Sequence, residues 1–331
     1  MLKRMALLIS LRHAVRLHLG LLLRAEAEIL IGGQAVLEGV MMRAPHSFAV
    51  AVRAPNGSLH TTQEKLVRPS ERHGFWGWPV LRGLAVLGQA MILGTKALRY
   101  SSAALEAGDA GPTPEAEAKA ASAGTTAAIV FSLVFFVGFY KFLPLLAATA
   151  LQRHFPALGG RILFNLTDGL IRIALFLLFI SGLGLFADIR RVYEFHGAEH
   201  KVVFNYESGE PLTPANARRF SKHHPRCGTS FMLVIMLIAM VTYALVPATH
   251  FWSRFLSRIV LLPVIAGISF EIIRYAARHG RSLFALLARP GMWLQRITTR
   301  EPDDEQLACA IRALETAMAL ERAQGGELVV A

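Results

Sequence analysis

Four apolar runs constrain this chain more than any other feature. Residues 126–151, 168–188, 229–248 and 256–277 are each about as long as a helix that crosses a bilayer core, which takes about twenty residues. In hydrocarbon the backbone has no water to bond, so such runs must fold as helices. The expected architecture is therefore an α-helical polytopic membrane protein with about four transmembrane helices. Charge agrees with this reading. Only 18% of residues are charged, well below a typical soluble domain, yet the net charge is +12. An excess of that size in a soluble protein suggests nucleic acid. Here no nucleic-acid motif accompanies it, and basic residues belong in cytoplasmic loops beside anionic headgroups.

The distribution of the basic residues sets the expected orientation. The long loop 189–228 carries Arg190, Arg191, Lys201, Arg218, Arg219, Lys222 and Arg226, and five arginines follow the last run between Arg278 and Arg300. The opposite loops offer Arg153, Arg161 and Arg254. This asymmetry places the loop and both termini in the cytoplasm of an inner-membrane protein. The collar Arg218, Arg219, Lys222 and Arg226 is then positioned for anionic lipid headgroups. A second copy of the chain and a cytosolic protein are the partners left open. Cys227 and Cys309 both fall on the reducing side, so no disulfide is expected.

Outside the spans the chain divides into unequal pieces. Residues 1–27 form a basic amphipathic extension that can lie on a membrane surface. Residues 28–74 read as a small β-rich cytosolic element, because Val50–Ala54 and Leu59–Thr62 flank a Pro-Asn-Gly-Ser turn. Residues 75–105 begin with the aromatic Phe75-Trp76-Gly77-Trp78 and continue as an apolar helix interrupted by Arg82, Gln89 and Lys96. Those polar residues favour an interfacial or re-entrant helix over a fifth span. Residues 106–125 read as a linker. In the tail 278–331, Pro302 and the acidic Asp303, Asp304 and Glu305 open an amphipathic C-terminal helix whose apolar face is Leu307, Ile311, Leu314 and Met318.

The chemistry concentrates in the long loop. In His196-Gly197-Ala198-Glu199-His200 the two histidines are four apart, so on a helix both imidazoles reach one ion. Glu199 is placed as a general base, the spacing of the H-x-x-E-H metalloproteases. His223, His224 and Cys227 offer further imidazole and thiolate ligands, provided the loop folds back to the membrane surface, and this donor set favours zinc. Glu271, inside the fourth run, is either another ligand or the partner of Arg274, and the pair is preferred. Asp168 and Arg172, four apart, read as a structural pair, with Lys141 as a further neighbour. The plainer reading of the loop is a set of solvated histidines on a membrane scaffold that holds a partner or lipid through its basic face.

Four blocks together resemble the YqhQ-like bacterial family. They are Gly32–Arg43, His196–His200, His224–Phe231 and Thr298–Asp304. That resemblance implies a membrane-bound, metal-dependent enzyme. With the residue reading it gives the expected function, a metal-dependent hydrolase facing the cytoplasm. The non-catalytic scaffold is the alternative, and transport a distant third.

Overall fold

The computed structural model describes residues 31–108, 111–113, 123–279 and 283–324. The extension 1–27 and most of the linker 106–125 lie outside them. The described chain is a mostly helical multi-pass membrane protein with an N-terminal four-stranded sheet.

The sheet is an antiparallel meander of β1 (Gly32–Val36), β2 (Gly39–Arg43), β3 (Ser47–Arg53) and β4 (Leu59–Lys65), in sequence order. The expected turn closes the β3–β4 hairpin, but as a five-residue loop. Arg53 pairs with Leu59, Gly57 N–H donates to Ala54 C=O at 2.9 Å, and Gly57 takes the left-handed φ of 89° that a β-branched residue would resist. The interior strands β2 and β3 are apolar at nearly every position because both faces of the sheet are covered. On one face Met41, Phe48, Val50 and Val52 meet Leu93, Ala97 and Tyr100 of α1 (Leu81–Ala107). On the other, Val40, Met42, Ala49 and Ala51 meet α4 (Ala187–Glu207) and the C-terminal α10 (Asp304–Ala323).

These contacts explain the polar interruptions in α1. Arg82 pairs with Glu271, Gln89 donates to the Val67 carbonyl at 2.9 Å, and Lys96 pairs with Glu64 at 2.6 Å. The helix covers a sheet and is not among the helices long and apolar enough to cross a membrane.

Three helices pass that test: α2 at Val130–His154, α3 at Arg161–Leu183, and α6 at Gly228–Leu245. The fourth expected span is instead a broken pair, α7 (Phe251–Val260) and α8 (Leu262–Ala276), bent by 49°. Pro263 stands in the first turn of α8, where its missing N–H is tolerated, and it cannot continue the ladder of the preceding helix. A last apolar helix, α9 (Leu283–Thr298), packs on α6, where a Cβ on Gly291 would come within 2.6 Å of Ser230.

The second span begins seven residues earlier than the hydropathy suggests. Its polar side chains Asn165, Asp168 and Arg172 are buried within the protein. Asp168 accepts from Arg172 at 2.7 Å and from Arg258 of α7 at 3.1 Å, and Arg258 also donates to Asn165 at 3.0 Å. Pro144 cannot donate to the carbonyl four residues back, that of Tyr140, where α2 carries a π-helical turn. Arg172 Nε donates to that carbonyl at 3.0 Å. The pair read from sequence is thus the core of a network joining three helices.

Removing one partner of a buried charge network leaves the others uncompensated, at a cost of about 3–5 kcal/mol. Asp168→Asn strands two arginines. Its thermal unfolding midpoint in detergent is expected to fall clearly below that of the parent chain, while an exposed control such as Arg312→Gln leaves the midpoint unchanged.

Candidate metal centre

The α3 span ends at Leu183, and after Gly184–Phe186 the chain restarts as α4. His196, Glu199 and His200 therefore lie on a new helix that runs between the sheet and the ends of the spans. The loop behind it folds back. Thr213 caps the short α5 (Pro214–Arg218) by accepting from Asn216 N–H at 3.2 Å, and residues 219–227 return to the N-terminus of α6.

Three side chains meet there: His196, His200 and Cys227. Their ligand atoms all lie within 4.8 Å of one another, and His200 and Cys227 are buried. The imidazole centroids are 4.5 Å apart, and His196 Nε2 is 3.2 Å from Cys227 Sγ. Hydrogen bonds fix which nitrogen faces the group. His196 Nδ1 is 2.9 Å from the Thr298 carbonyl, and His200 Nδ1 is 2.6 Å from the Lys222 carbonyl. A carbonyl only accepts, so each Nδ1 carries the proton and each Nε2 presents a lone pair inward. His200 Nε2 is buried with no hydrogen-bond partner. Orphaned buried acceptors of this kind, oriented from behind by backbone carbonyls, are how proteins hold metal-ligating histidines. The donor set fits a transition metal such as zinc.

Glu199 is 6% exposed, with its carboxylate 3.4 Å from His200 Nε2. It packs against the sheet, where a Cβ on Gly33 would come within 2.8 Å of Glu199 Cγ. The other sequence candidates lie outside this group of three. The His224 ring is tilted against Phe204 at 4.4 Å and against His200 at 5.7 Å. Its Nδ1 accepts from Arg226 N–H at 3.3 Å, and its Nε2, like that of His200, is buried without a hydrogen-bond partner. His223 is outside the group as well. Burial lowers the pKa of both rings, reinforced at His223 by Lys222 and Arg296 and partly offset at His224 by Glu199. Glu271 is remote from the group, because its carboxylate is held by Arg82 and by Val80 N–H, where the backbone takes a φ of 70° rare for valine. The sequence pairing with Arg274 overlooked Arg82, which is 189 positions away. Cys309 lies within α10, where burial pushes its thiol up to about 12.

Several supporting residues carry no chemistry that a sequence reading would single out. Gln295 clamps the loop, accepting from His224 N–H and donating to His224 C=O, both at 2.7 Å, and donating to Ser230 Oγ at 2.8 Å. Gly197, a poor helix residue, is where the chain after α9 crosses α4. A Cβ there would overlap the Arg300 carbonyl. That crossing is secured by Arg300 N–H donating to Tyr193 C=O at 2.9 Å, and it delivers the Thr298 carbonyl to His196. Gly197→Ala is expected to push the crossing strand outward and destabilise the chain by about 1–3 kcal/mol, the usual cost of overpacking. A denaturant midpoint equal to that of the parent chain would contradict this.

All four sequence blocks converge on this site: Gly33 against Glu199, the two histidines themselves, Cys227 with its loop, and the 298–302 crossing. Residues 78–320 match the family model described as a protein of unknown function (DUF1385). The chain is also 33% identical over 306 residues to the "Uncharacterized protein YqhQ" of Bacillus subtilis (strain 168), covering 88% of this chain and 92% of that one. No solved structure matches. On both grounds, this chain is a YqhQ-like member of the DUF1385 family.

Proposed function

We propose that the protein is a metal-dependent hydrolase acting at the cytoplasmic face of the membrane, with His196, His200 and Cys227 as zinc ligands and Glu199 as general base. The observation that carries this reading is the pair of Nδ1–carbonyl bonds, which turn both Nε2 atoms toward one thiol. Three protein ligands leave a fourth position for water or substrate, the arrangement of catalytic zinc sites. Bound there, zinc supplies Lewis acidity and brings the pKa of water to about 7. Glu199, buried with its carboxylate 3.4 Å from His200 Nε2, would serve there as the proton acceptor.

Two observations favour this reading over the scaffold alternative. The apolar face of α10 is already used on the sheet. The collar is also largely matched within the chain: Arg218 pairs with Asp304, Arg219 with Glu210, Arg226 with Glu207, and Lys222 lies 3.7 Å from Glu301.

Metal analysis of the purified chain tests the ligands. About one transition-metal ion per chain is expected, falling to background in His196→Ala and Cys227→Ser. Glu199→Gln is expected to keep the metal while losing hydrolysis of a panel of phosphoesters and carboxylic esters. Retention of metal by His196→Ala would remove the proposed ligand set, and full activity of Glu199→Gln would remove the base.

The cytoplasmic assignment rests on the charge asymmetry of the loops. Single cysteines placed at the exposed Ser208 and Asn56 should stay unlabelled by an impermeant maleimide in intact cells and label after lysis. Labelling of either position from outside would invert the orientation.

A further inference from the structure

Beside the metal group, where the α3 span ends, lies an open cleft of about 550 Å³. Its walls come from Ser181 and Leu185 at the end of α3, from Lys222, and from residues 296–301 at the end of α9. Two of these segments also build the metal centre. Lys222 gives its carbonyl to His200, and Ile297 and Thr299 in the cleft wall flank Thr298, whose carbonyl holds His196.

The charge in the cleft is unbalanced. Lys222, Arg296 and Arg300 line it together with Glu194 and Glu301. Both carboxylates are engaged. Glu194 accepts from Gln306 Nε2 at 2.9 Å, and Glu301 pairs with Lys201 at 2.5 Å as well as with Lys222. Among the described residues neither Arg296 nor Arg300 forms an ion pair. Two guanidinium groups facing one cleft suit a phosphate, whose oxygens accept their paired N–H donors.

The surroundings place the cleft at the level of lipid headgroups. Leu185 and Phe186, directly after the span, are 80% and 64% exposed, and Trp293, one turn before Arg296 on α9, is 56% exposed. Apolar and indole side chains left bare at the end of a membrane span belong at the boundary between headgroup and acyl chain. A soluble anion would need the basic groups alone. An exposed Leu185 in the cleft wall, with exposed Phe186 next to it in sequence and Trp293 one turn before Arg296, suits a ligand that carries acyl chains as well.

We infer that this cleft binds the phosphate of an anionic membrane lipid, entering from the bilayer with its acyl chains left between Leu185, Phe186 and Trp293. Binding stands on the cleft alone. That the bound lipid is also the substrate class rests on the metal-enzyme reading, because the cleft and the metal centre share their walls.

The test uses the full chain in a non-ionic detergent, titrated calorimetrically with dihexanoyl phosphatidic acid, dihexanoyl phosphatidylcholine and inorganic phosphate. Phosphatidic acid is expected to bind, and Arg296→Gln/Arg300→Gln to weaken it by about tenfold or more, the loss of two charge-assisted contacts. Phosphatidylcholine and inorganic phosphate should each bind much more weakly. Equal binding of phosphatidylcholine, or unchanged binding by the double variant, would overturn phosphate recognition. Inorganic phosphate binding as well as phosphatidic acid would assign the cleft to a soluble anion and overturn the lipid. If the double variant does not fold, Arg296→Gln alone and the expected loss of wild-type binding in high salt make the same decision. Metal content separates the two proposals. Arg296→Gln/Arg300→Gln should retain its metal, and His196→Ala should still bind phosphatidic acid. Loss of either proposal then leaves the other standing.

Discussion

Where residues 298–302 cross α4, two backbones lie in van der Waals contact, and only the absence of a side chain at Gly197 permits it. Much of the functional end of the protein depends on that approach. It brings the Thr298 carbonyl to His196 and thereby sets the tautomer of a ligand. It places Glu301 against Lys201. It also aims the chain so that Asp303 can cap α10, with Gln306 closing the reciprocal bond, before α10 settles on the sheet. An extra methyl group at this one position would disturb the ligand, the ion pair and the docking together.

The site is organised by backbone carbonyls, which limits what a sequence can reveal. The H-x-x-E-H spacing is legible because helical geometry alone brings its two histidines together. Cys227 is legible as a thiol near other ligands. What orients them is not, because Thr298 and Lys222 act through main-chain carbonyls that any residue would equally present as acceptors. Gly197 gave a sign that was easy to misread. In a helix it looks like a weakness, whereas here it is the condition for a close crossing. His224 is harder to read, since its ring stands beside His200 while its Nδ1 already accepts a backbone N–H.

The fold shows a similar division. Hydropathy locates three spans, the β-hairpin follows from its turn residues, and the C-terminal cap follows from an acidic first turn. The fourth span is broken at Leu261 beside Pro263, and composition alone treats both halves as one. The start of α3 is hidden for a related reason. Asn165, Asp168 and Arg172 lower the local hydropathy, yet their partners Arg258 and the Tyr140 carbonyl remove them from lipid. A hydropathy window sees the charge but not the counter-charge on another helix. Glu271 in the broken fourth span repeats this with Arg82, since a neighbour three positions away looked sufficient until a partner from a distant helix was seen.

The three-layer arrangement of the sheet also orders events during synthesis. One face of β2 and β3 is covered by α1, which follows within a few dozen residues. The other needs α10 at the far end of the chain, and Ser47 Oγ donates to a carbonyl 270 positions away, that of Ala317. At ribosomal rates of about 5–20 residues per second, that interval is roughly fifteen to fifty seconds. α4 reaches this face only after the second span has been made, and the cover that α10 gives β2 and β3 comes last of all. The nascent chain therefore carries a partly open apolar sheet face while its later spans are inserted, a surface suited to chaperones that bind before the ribosome releases its product.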